Sequence, residues 1–391
     1  MKLTLIAGAR PNFMKIAPII HAIQKAQKEG KNIHYRLVHT GQHYDEKMSE
    51  TFFRQLNIPH PDVNLECGGG SQAEQTASIM LAFEKELLAH PTDLVMVVGD
   101  VTSTMACSIV AKKLGVKVAH VEAGIRSWDR SMPEEINRML TDSITDYFFT
   151  TSTLAGDNLL REGHRQEQIF FTGNVMIDTL RANESRLQQP EVWKELGLQE
   201  KNYLVMTMHR PANVDEEHKL KEFIQSIDDN TQGMPVVFPI HPRTKGILEK
   251  AGILMKNIHL VEPLGYLEFN YLVKHAKGVL TDSGGITEET TVMNVPCITL
   301  RDNTERPETI EIGTNELIGT APKRIKPALE KLLAGHWKQG QIPEKWDGKA
   351  AERIVEVLVK MGNWIEVFNE KSVDSKKVYL ETQKKELSNT L

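Results

Sequence analysis

Short apolar runs alternate with amphipathic stretches along the whole chain. In the first half, runs of strand length end in glycine or polar residues, and they occupy residues 2–8, 35–41, 93–100, 117–124 and 146–152. Stretches with helical periodicity lie between them, including 13–29 and 105–114. Parallel strands joined by covering helices produce this alternation, so the pattern predicts a parallel βαβ sheet with helices on both faces.

The same rhythm restarts in the second half, after an amphipathic stretch over about 172–199. The further strand-length runs are residues 203–209, 235–242, 258–263, 278–284 and 297–302. A chain of 391 residues is long enough for two cores. We therefore predict two doubly wound α/β domains with a boundary near residue 175. They would face each other across a cleft lined by the carboxyl ends of both sets of strands.

Composition and charge narrow the class of protein. The hydrophobic content of 40% and the charged content of 25% are those of ordinary globular domains. The formal net charge is -5, and Lys and Arg are spread along the sequence, which argues against nucleic-acid binding. The segment MKLTLIAGARPNF has too short an apolar run for a signal peptide, and no stretch approaches the ~20 apolar residues of a membrane span. We expect a soluble protein.

The cysteines favour a reducing compartment. Cys67, Cys107 and Cys297 are far apart and have no CxxC spacing, so we expect neither a disulfide framework nor a structural zinc site. A cytoplasmic location fits these features best.

A turn of small and polar residues follows the first predicted strand. It leads into a helix that contains Lys15, so two cations, Arg10 and Lys15, lie where a strand meets a helix start. A plain turn followed by a solvated lysine explains this stretch equally well. Neither GxGxxG nor GxxxxGK[ST] occurs in the chain, which lowers the case for a dinucleotide-dependent redox enzyme or a P-loop protein.

Three carboxylates stand close to neighbouring strand ends of the first predicted domain. Asp100 ends VVGD, Glu122 ends HVE, and Glu134 follows in PEEINR together with Arg138. Taken alone, Asp100 could cap a helix, and Glu134 with Arg138 could form a solvated i,i+4 pair worth a few tenths of a kcal/mol. In a doubly wound sheet the three carboxylates would converge on the cleft. There they would raise one another's pKa, so that one acts as an acid and another as a base.

The second half supplies a histidine and an anion-binding turn. His209 stands at a strand end that should face the first domain, where an imidazole can supply a proton, although a lone histidine is more often structural. Ser283-Gly284-Gly285 joins a strand to a helix start, whose free N-H groups attract phosphate. A glycine pair alone is more often only a tight connection. With Glu288 or Glu289 as a nearby carboxylate for ribose hydroxyls and Arg306 for the remaining charge, these residues describe a nucleotide diphosphate site.

Several segments together resemble one enzyme family. They are GARPNFMKIAP, TGQH, GDVTST, HVEAGIRS, PEEINR, MHRPAN, HPRT, LTDSGGITEE and TERPETIEIGTN, spread over about residues 2–320. Their order and spacing are similar to those of the non-hydrolysing UDP-N-acetylglucosamine 2-epimerases. The combination of HVEAGIRS and PEEINR with LTDSGGITEE and TERPE is highly specific to that family.

The resemblance implies a fold and a reaction. The family has two Rossmann-like domains arranged as in GT-B glycosyltransferases, here over 1–174 and 175–362, with a C-terminal helix and tail, about 363–391, packing back on the first. The implied reaction is reversible inversion at C2 of UDP-N-acetylglucosamine, by anti elimination of UDP to 2-acetamidoglucal and re-addition to the opposite face. It uses no metal or nicotinamide cofactor. Its product, UDP-N-acetylmannosamine, supplies sugars for cell-surface polysaccharide, and the family is commonly homodimeric.

Site residues carry over from the family one by one. The resemblance places the catalytic acidic positions on Asp100, Glu122 and Glu134 and the catalytic histidine on His209. We hypothesise that Asp100 and Glu122 handle protons at C2 on the two faces, because their strand ends are adjacent. The nucleotide and phosphate contacts fall on Arg10, Lys15, Arg138, Ser283, Gly284, Gly285, Glu289 and Arg306, with Phe269 near the uracil.

The chain departs from the family pattern at a few positions. Ala9 and Asn12 stand where the family usually has threonine and glutamate, and HRPAN replaces HRREN, which bears on how neighbouring site residues are positioned. Gln42 matches a residue that binds a second, activating substrate molecule in some bacterial members. Asp45, however, replaces a family glutamine, and CGGGSQAEQT lacks the expected arginine. We predict weak or absent substrate activation.

Other reactions and classes stay open at this point. The same scaffold supports hydrolytic epimerisation that releases N-acetylmannosamine, and epimerisation of a diacetamido uronic-acid nucleotide. A GT-B glycosyltransferase would share the fold and the nucleotide site but would need an acceptor pocket. A catalytically silent nucleotide-sugar sensor would bind UDP without turnover, and we expect such a sensor to lack one of Asp100, Glu122 or His209.

Overall fold

The chain folds into two α/β domains, each built on a parallel β-sheet. The computed structural model describes residues 1–41, 53, 55–210, 213, 217–240, 246, 248 and 254–362. Within these residues, no helix combines the length and the apolar character that crossing a membrane requires.

The first domain contains a seven-stranded sheet in the order β3-β2-β1-β4-β5-β6-β7. Its strands are β1 (Lys2–Ala7), β2 (His34–His39), β3 (Val63–Asn64), β4 (Leu94–Val98), β5 (Lys117–Val121), β6 (Tyr147–Thr150) and β7 (Ile169–Phe171). The helices that accompany these strands include α1 (Arg10–Lys28), α2 (Gln72–Ala89), α3 (Thr102–Lys113), α4 (Pro133–Ile144) and α5 (Thr153–Arg161), and α6 (Val175–Asn183) follows β7. The strand order reverses between β1 and β4, and ligands of open α/β sheets bind in the crevice beyond such a switch point.

The second domain repeats this architecture with six strands in the order β10-β9-β8-β11-β12-β13. Its strands are β8 (Leu204–Thr207), β9 (Val236–Pro239), β10 (Ile258–Val261), β11 (Gly278–Thr281), β12 (Cys297–Thr299) and β13 (Asn315–Leu317). Its helices include α7 (Glu191–Glu195), α8 (Glu217–Asp228), α9 (Tyr266–His275), α10 (Gly284–Val292), α11 (Pro307–Glu311) and α12 (Ile325–Leu333). The switch point of this sheet lies between β8 and β11.

Burial on both faces explains why the strands read as continuous apolar runs. Met96 of β4 packs in one apolar core, while its neighbours Val95 and Val97 pack in a second core on the opposite face of the sheet. In the second domain, Met206 and Val205 of β8 divide in the same way. Because successive side chains of a strand point to opposite faces, a sheet covered on both sides needs apolar residues at every position.

The predicted pair of doubly wound domains is confirmed, and three short strands were not predicted. β3, β7 and β13 contain only two or three residues and lie at outer edges of the sheets. A segment of this length is too short to show a hydrophobic period, so the sequence pattern carries no signal for it.

Helix α1 begins at Arg10, three residues earlier than predicted. Pro11 suits the first turn of a helix because a proline lacks the N-H that would have no partner there. The Asn12 side chain closes the turn before the helix: its Oδ1 accepts hydrogen bonds from the main-chain N of Gly8 at 3.1 Å and of Ala9 at 2.9 Å. Helix α1 therefore begins directly beyond the carboxyl end of β1.

A helix over residues 350–362 returns to the first domain. Ala350, Ile354 and Leu358 are fully buried in the same apolar core as Leu3 and Leu5 of β1. Residues 363–391 lie outside the described residues. Their packing on the first domain and the domain limits 1–174 and 175–362 therefore stay predictions.

Candidate active site

A cavity of about 520 Å³ opens between the two domains. It lies at the switch points of both sheets, because its wall includes residues from the segments that follow β1, β4, β8 and β11. The predicted site residues in this wall are Lys15, Asp100, Glu134, Arg138, His209, Phe269, Ser283, Gly284, Gly285, Glu289 and Arg306. The structure therefore brings together most of the residues that the sequence singles out.

Three predicted residues need separate mention. Glu122 lies behind the wall of the cavity, with only 3% of its side chain exposed, and it contacts two wall residues. The side chain of Arg10 and the whole of Gln42 lie outside the described part of the chain. The roles predicted for Arg10 and Gln42 stay predictions.

Asp100 forms a salt bridge with Arg138 in the cavity wall. Its Oδ2 lies 2.6 Å from Nη2 and 3.1 Å from Nε of Arg138. Although burial opposes ionisation, the charges of Arg138 and Lys15 hold the pKa of Asp100 below its usual value. The Asp100 side chain is 28% exposed. It is therefore an ionised carboxylate that a ligand in the cavity can reach.

The solvated pair that Glu134 and Arg138 could form is not present. Arg138 is buried, and its Nη1 donates to Oε2 of Glu135 at 2.6 Å within α4. Its Nη2 is engaged by Asp100. Helix α4 thus directs Arg138 inward to Asp100, while Glu134 lines the cavity at another point.

A buried cluster of charges joins the two domains behind the cavity. Oε2 of Glu122 lies 2.5 Å from Nζ of Lys15 and 3.5 Å from Nη2 of Arg306, which belongs to the second domain. Arg306 also donates from Nε to Oε1 of Glu288. The backbone of Glu122 has a left-handed φ of 70°, and its N-H donates to the carbonyl oxygen of Phe149 at 3.0 Å. Two cations and two carboxylates therefore meet at the domain interface.

Two adjacent glutamates of α10 have raised pKa values. Burial raises the pKa of Glu288 to about 7, against the opposing charge of Arg306. Burial also raises the pKa of Glu289 to about 7, even though Tyr266 Oη donates to its Oε1 at 2.9 Å and Asn270 Nδ2 does so at 3.4 Å. Each glutamate can hold or release a proton near neutral pH, which is a common property of functional sites.

His209 contacts a buried aspartate, Asp282, which was not predicted as a site residue. Nδ1 of His209 lies 2.8 Å from Oδ1 of Asp282. The other carboxylate oxygen accepts hydrogen bonds from the main-chain N of Arg210 and from Nδ2 of Asn213, each at 3.0 Å. Burial opposes ionisation, but the bonds from these three residues hold the pKa of Asp282 below its usual value. The available signal was its place directly after β11, next to the strand that precedes His209.

The start of α10 presents main-chain donors to the cavity. The helix begins at Gly284, and the side chain of Ser283 makes no capping hydrogen bond. The first N-H groups of a helix have no acceptor within it, and the positive end of the helix dipole attracts anions. Gly284 and Gly285 line the cavity and have no side chains, so a ligand can approach these N-H groups closely.

Glu305 also lines the cavity and was not predicted as a site residue. Its Oε2 accepts from Nη2 of Arg301, and its Oε1 lies 3.7 Å from Nη2 of Arg138 and 3.8 Å from Nη2 of Arg210. Although burial opposes ionisation, the charges of Arg301, Arg138 and Arg306 hold the pKa of Glu305 well below its usual value. Part of the positive charge of this wall is therefore balanced by the protein itself.

The cavity combines an anion-binding wall with groups that can transfer protons. The helix start and Arg306 come from the second domain, Asp100 and Glu134 come from the first, and His209 adds an imidazole. Within the described residues, no group of three or more His, Cys, Asp or Glu side chains is arranged to hold a metal ion. This arrangement can bind a phosphorylated small molecule and move protons on it.

Comparison with known proteins finds relatives along most of the chain. Residues 25–359 match a family model described as UDP-N-acetylglucosamine 2-epimerase. The chain is 42% identical over 370 residues to the UDP-N-acetylglucosamine 2-epimerase of Methanocaldococcus jannaschii, which covers 92% of this chain and 99% of that protein. It is 37% identical over 365 residues to the UDP-2,3-diacetamido-2,3-dideoxy-D-glucuronate 2-epimerase of Pseudomonas aeruginosa, which covers 92% of this chain and 100% of that protein.

A solved structure shows the same domain arrangement. The crystal structure of the Methanocaldococcus jannaschii enzyme in complex with UDP-GlcNAc and UDP aligns with a TM-score of 0.82. The two chains are 42% identical in that alignment, which covers 92% of this chain and 100% of the other. The expected GT-B type arrangement of the two domains is confirmed.

Proposed function

The chain belongs to the UDP-N-acetylglucosamine 2-epimerase family, and we propose that it interconverts UDP-N-acetylglucosamine and UDP-N-acetylmannosamine by inversion at C2. One observation carries this proposal: an anion-binding helix start of one domain and carboxylates of the other line the same cavity. A nucleotide sugar held there by its diphosphate would have its sugar ring among groups that transfer protons.

The second domain holds the nucleotide in this proposal. The N-H groups at Gly284 and Gly285 bind the diphosphate, and Arg306 together with the first domain's Lys15 offsets its negative charge. Glu289 accepts hydrogen bonds from the ribose hydroxyls. Ser283, Arg10 and Arg138 are further candidate contacts to the phosphates, and Phe269 is a candidate contact to the uracil.

The proposed reaction is an elimination followed by the reverse addition. A base removes the proton from C2 while the C1-O bond breaks, and UDP leaves with the electron pair of that bond. The electron pair of the C2-H bond forms the C1=C2 double bond of 2-acetamidoglucal. UDP then adds back at C1, and a proton reaches C2 from the opposite face. Since no electrons are gained or lost overall, the cycle calls for no redox cofactor.

Asp100 and Glu122 are our candidates for proton transfer at C2 on the two faces. The salt bridge from Arg138 keeps Asp100 ionised at neutral pH and so able to accept a proton. Glu122 follows the neighbouring strand β5, and its Oε1 is buried without a hydrogen-bond partner among the described residues. No hydrogen bond from a described residue occupies this oxygen, so it is the atom of Glu122 on which we propose that the proton is taken up.

His209 and Glu134 complete the proposed machinery. The carboxylate of Asp282 accepts from Nδ1 of His209, which fixes the orientation of the ring at the cavity. An imidazole fixed in this way can donate to the departing UDP. Glu134 lines the same cavity and is a further candidate acid.

A related substrate is the second candidate. The Pseudomonas aeruginosa relative is named for a diacetamido uronic-acid nucleotide, and the identity of 37% spans nearly the whole chain. The chemistry at C2 would be the same, and the difference would lie in the groups at C3 and C6. We place UDP-N-acetylglucosamine first because the relative at 42% identity is named for it.

Product analysis with both nucleotide sugars tests the proposal. The purified protein is incubated with each substrate without added metal or NAD, and the products are resolved by ion-pair chromatography. We expect UDP-N-acetylmannosamine from UDP-N-acetylglucosamine, in a reaction that reaches the same mixture from either side. Conversion of the uronic-acid nucleotide alone would select the second candidate. Free N-acetylmannosamine, transfer to an acceptor sugar, or UDP binding without turnover would each overturn the proposal in favour of a different function.

A further inference from the structure

A buried histidine, together with an aspartate, connects the loop that follows β4 to the loop that follows β5. His120 lies on β5, is fully buried and is not part of the cavity wall. Its Nδ1 lies 2.6 Å from Oδ1 of Asp142, and its Nε2 lies 2.8 Å from the main-chain oxygen of Gly99. Gly99 directly precedes Asp100, so His120 anchors the loop that carries this carboxylate.

The second oxygen of Asp142 anchors the other loop. Its Oδ2 accepts from the main-chain N of Gly124 at 3.0 Å and lies 2.7 Å from Nη1 of Arg126. Arg126 is held in turn by Glu162, at 2.8 Å and 2.6 Å. Gly124 follows Glu122 by two residues. A continuous chain of hydrogen bonds therefore runs from the main chain beside Asp100 to the main chain beside Glu122.

We propose that His120 and Asp142 are positioning residues that hold Asp100 and Glu122 at a fixed spacing for proton transfer on the two faces of C2. This inference rests on the proposed function. Neither side chain lines the cavity, so the effect passes through Gly99 and Gly124 to the two carboxylates.

Both loops have an unusual backbone conformation that the contacts of His120 and Asp142 help to hold. Gly99, Glu122 and Gly124 all have left-handed φ angles, of 70°, 70° and 76°. For the non-glycine residue Glu122 this conformation is uncommon and persists only where surrounding contacts impose it. A displacement of about 1 Å at a reacting group can cost ~100-fold in rate.

The ring of His120 contacts Asp142 and the main chain of Gly99 at the same time. Both ring nitrogens of His120 lie within hydrogen-bond distance of an oxygen, Nδ1 of Asp142 Oδ1 and Nε2 of the main-chain oxygen of Gly99. Because all these atoms are buried, the bonds are not exchanged with water and hold the geometry firmly.

Two substitutions separate the two contacts of the ring. His120→Asn places an amide nitrogen near the position of Nδ1 and loses the contact to Gly99, whereas His120→Gln reaches toward Gly99 and loses the contact to Asp142. Turnover is expressed per folded molecule, which is counted by titration with UDP. We expect kcat to fall about 100-fold in both variants, with KM and the Kd for UDP within about twofold of the unmodified chain. Deuterium exchange at C2 should fall by the same factor as kcat.

Asp146→Asn is the control, because Asp146 is a partly buried carboxylate that anchors the same strand. Asp146 holds the opposite end of β5, where its Oδ2 accepts from the main-chain N of Val118 at 2.9 Å and from Lys112 at 2.7 Å. Its loss removes a comparable anchor of the same strand but leaves the loops at the cavity alone. We expect its kcat per folded molecule to stay within about threefold of the unmodified chain.

The outcomes separate this inference from the proposed function. An unmodified chain without epimerase activity would remove the proposed function itself. An active chain whose His120 variants keep kcat within threefold would overturn only the positioning role. Failure of both variants to bind UDP would also overturn the positioning role. His120 would then be needed for folding and not for the spacing of the two carboxylates.

Discussion

Nδ1 of His209 lies 2.8 Å from Oδ1 of Asp282, and the two side chains differ sharply in exposure, at 63% and 0%. The exposed imidazole faces solvent in the cavity, while the buried carboxylate also accepts main-chain hydrogen bonds from His209 and Arg210. The aspartate therefore fixes both the ring and the loop that carries it. This relationship resembles the support of a catalytic base by a buried carboxylate.

Asp282→Asn should lower turnover through His209 and leave the affinity for UDP nearly unchanged. An amide in place of the carboxylate turns an N-H toward groups that are themselves donors, so the ring loses its orientation. We expect kcat to fall on the order of 100-fold while the Kd for UDP changes by less than about threefold. Steady-state rates and calorimetric UDP titrations measure the two effects.

The control for this substitution is Asp228→Asn. Asp228 is also buried and accepts main-chain hydrogen bonds from Lys256, Asn257 and Ile258, but it does not line the cavity. We expect it to lower the melting temperature and to leave kcat nearly unchanged. Equal kcat losses in the two variants would mean that Asp282 supports only the fold.

Gly285→Ala should weaken UDP binding while the fold is kept. A Cβ at Gly285 would meet its nearest neighbour, Met176 Cε, at 3.7 Å, which is an ordinary contact. If the diphosphate rests on this helix start, the added methyl group keeps it away, and we expect the Kd for UDP to rise about 10-fold or more. Gly156→Ala, in α5, has a similar nearest contact of 3.6 Å and lies outside the cavity wall, so its Kd should not change. Unchanged UDP binding in Gly285→Ala would place the phosphates elsewhere.

Arg306→Met should destabilise the protein through the carboxylates that it leaves behind. Glu122 and Glu288 are both buried, and Arg306 contacts each of them. Removing one partner of a buried ion pair costs about 3–5 kcal/mol in free energy of unfolding. Adding Glu288→Gln to this variant should recover part of the loss, because Glu288 without Arg306 must either keep an uncompensated charge or take up a proton, and an amide needs neither. Urea unfolding of the two single variants and the double variant measures the coupling, and strictly additive effects would contradict it.

The stability of Glu289→Gln relative to the unmodified chain should depend on pH. Burial raises the pKa of Glu289 to about 7, from an ordinary value of 4.5, so the folded state holds a proton that the unfolded state has released between these values. The stability that this proton contributes is complete below about pH 4.5 and is lost as the pH rises through 7. The unmodified chain should therefore lose up to about 1.4 kcal/mol per pH unit relative to the variant over that range.

Unfolding in urea at pH 5, 6, 7 and 8 checks this dependence. The difference in free energy of unfolding should shift in favour of Glu289→Gln up to about pH 7 and then level off. Glu84→Gln, on an exposed position of α2, is the control and should give a difference that is flat with pH. A flat difference for Glu289→Gln as well would mean that the glutamate is already ionised in the folded protein.

The fold was predictable because most of the buried strands appear in the sequence as short apolar runs. β4 is a continuous apolar run and β11 is buried throughout, and residues that follow these strands, such as Asp100 and Ser283, lie in the cavity wall. In doubly wound sheets, polar residues beyond the strand ends at the switch point meet in one crevice. The local pattern therefore located most of the wall. It could not reveal the edge strands β3, β7 and β13, which are too short to show a period.

The pairing of the charges was not predictable from local sequence. Glu122 and Arg306 are 184 residues apart and meet only because the two domains are packed against each other. Arg138 pairs with Asp100 on another element, whereas helical spacing alone suggested Glu134. The burial that raises the pKa values of Glu288 and Glu289 also comes from other elements of the fold. Such features follow from three-dimensional burial, which no short window of sequence contains.

The most direct test of the account follows the proton at C2 by NMR. The protein is incubated with UDP-N-acetylglucosamine in D2O without added metal or NAD, and the C2 proton signals of substrate and product are recorded with time. We predict that UDP-N-acetylmannosamine appears with deuterium at C2, because the proton removed in the elimination is replaced from groups that exchange with solvent. Epimerised product that keeps its original C2 proton would contradict this route, and an unchanged spectrum would contradict the proposed activity itself.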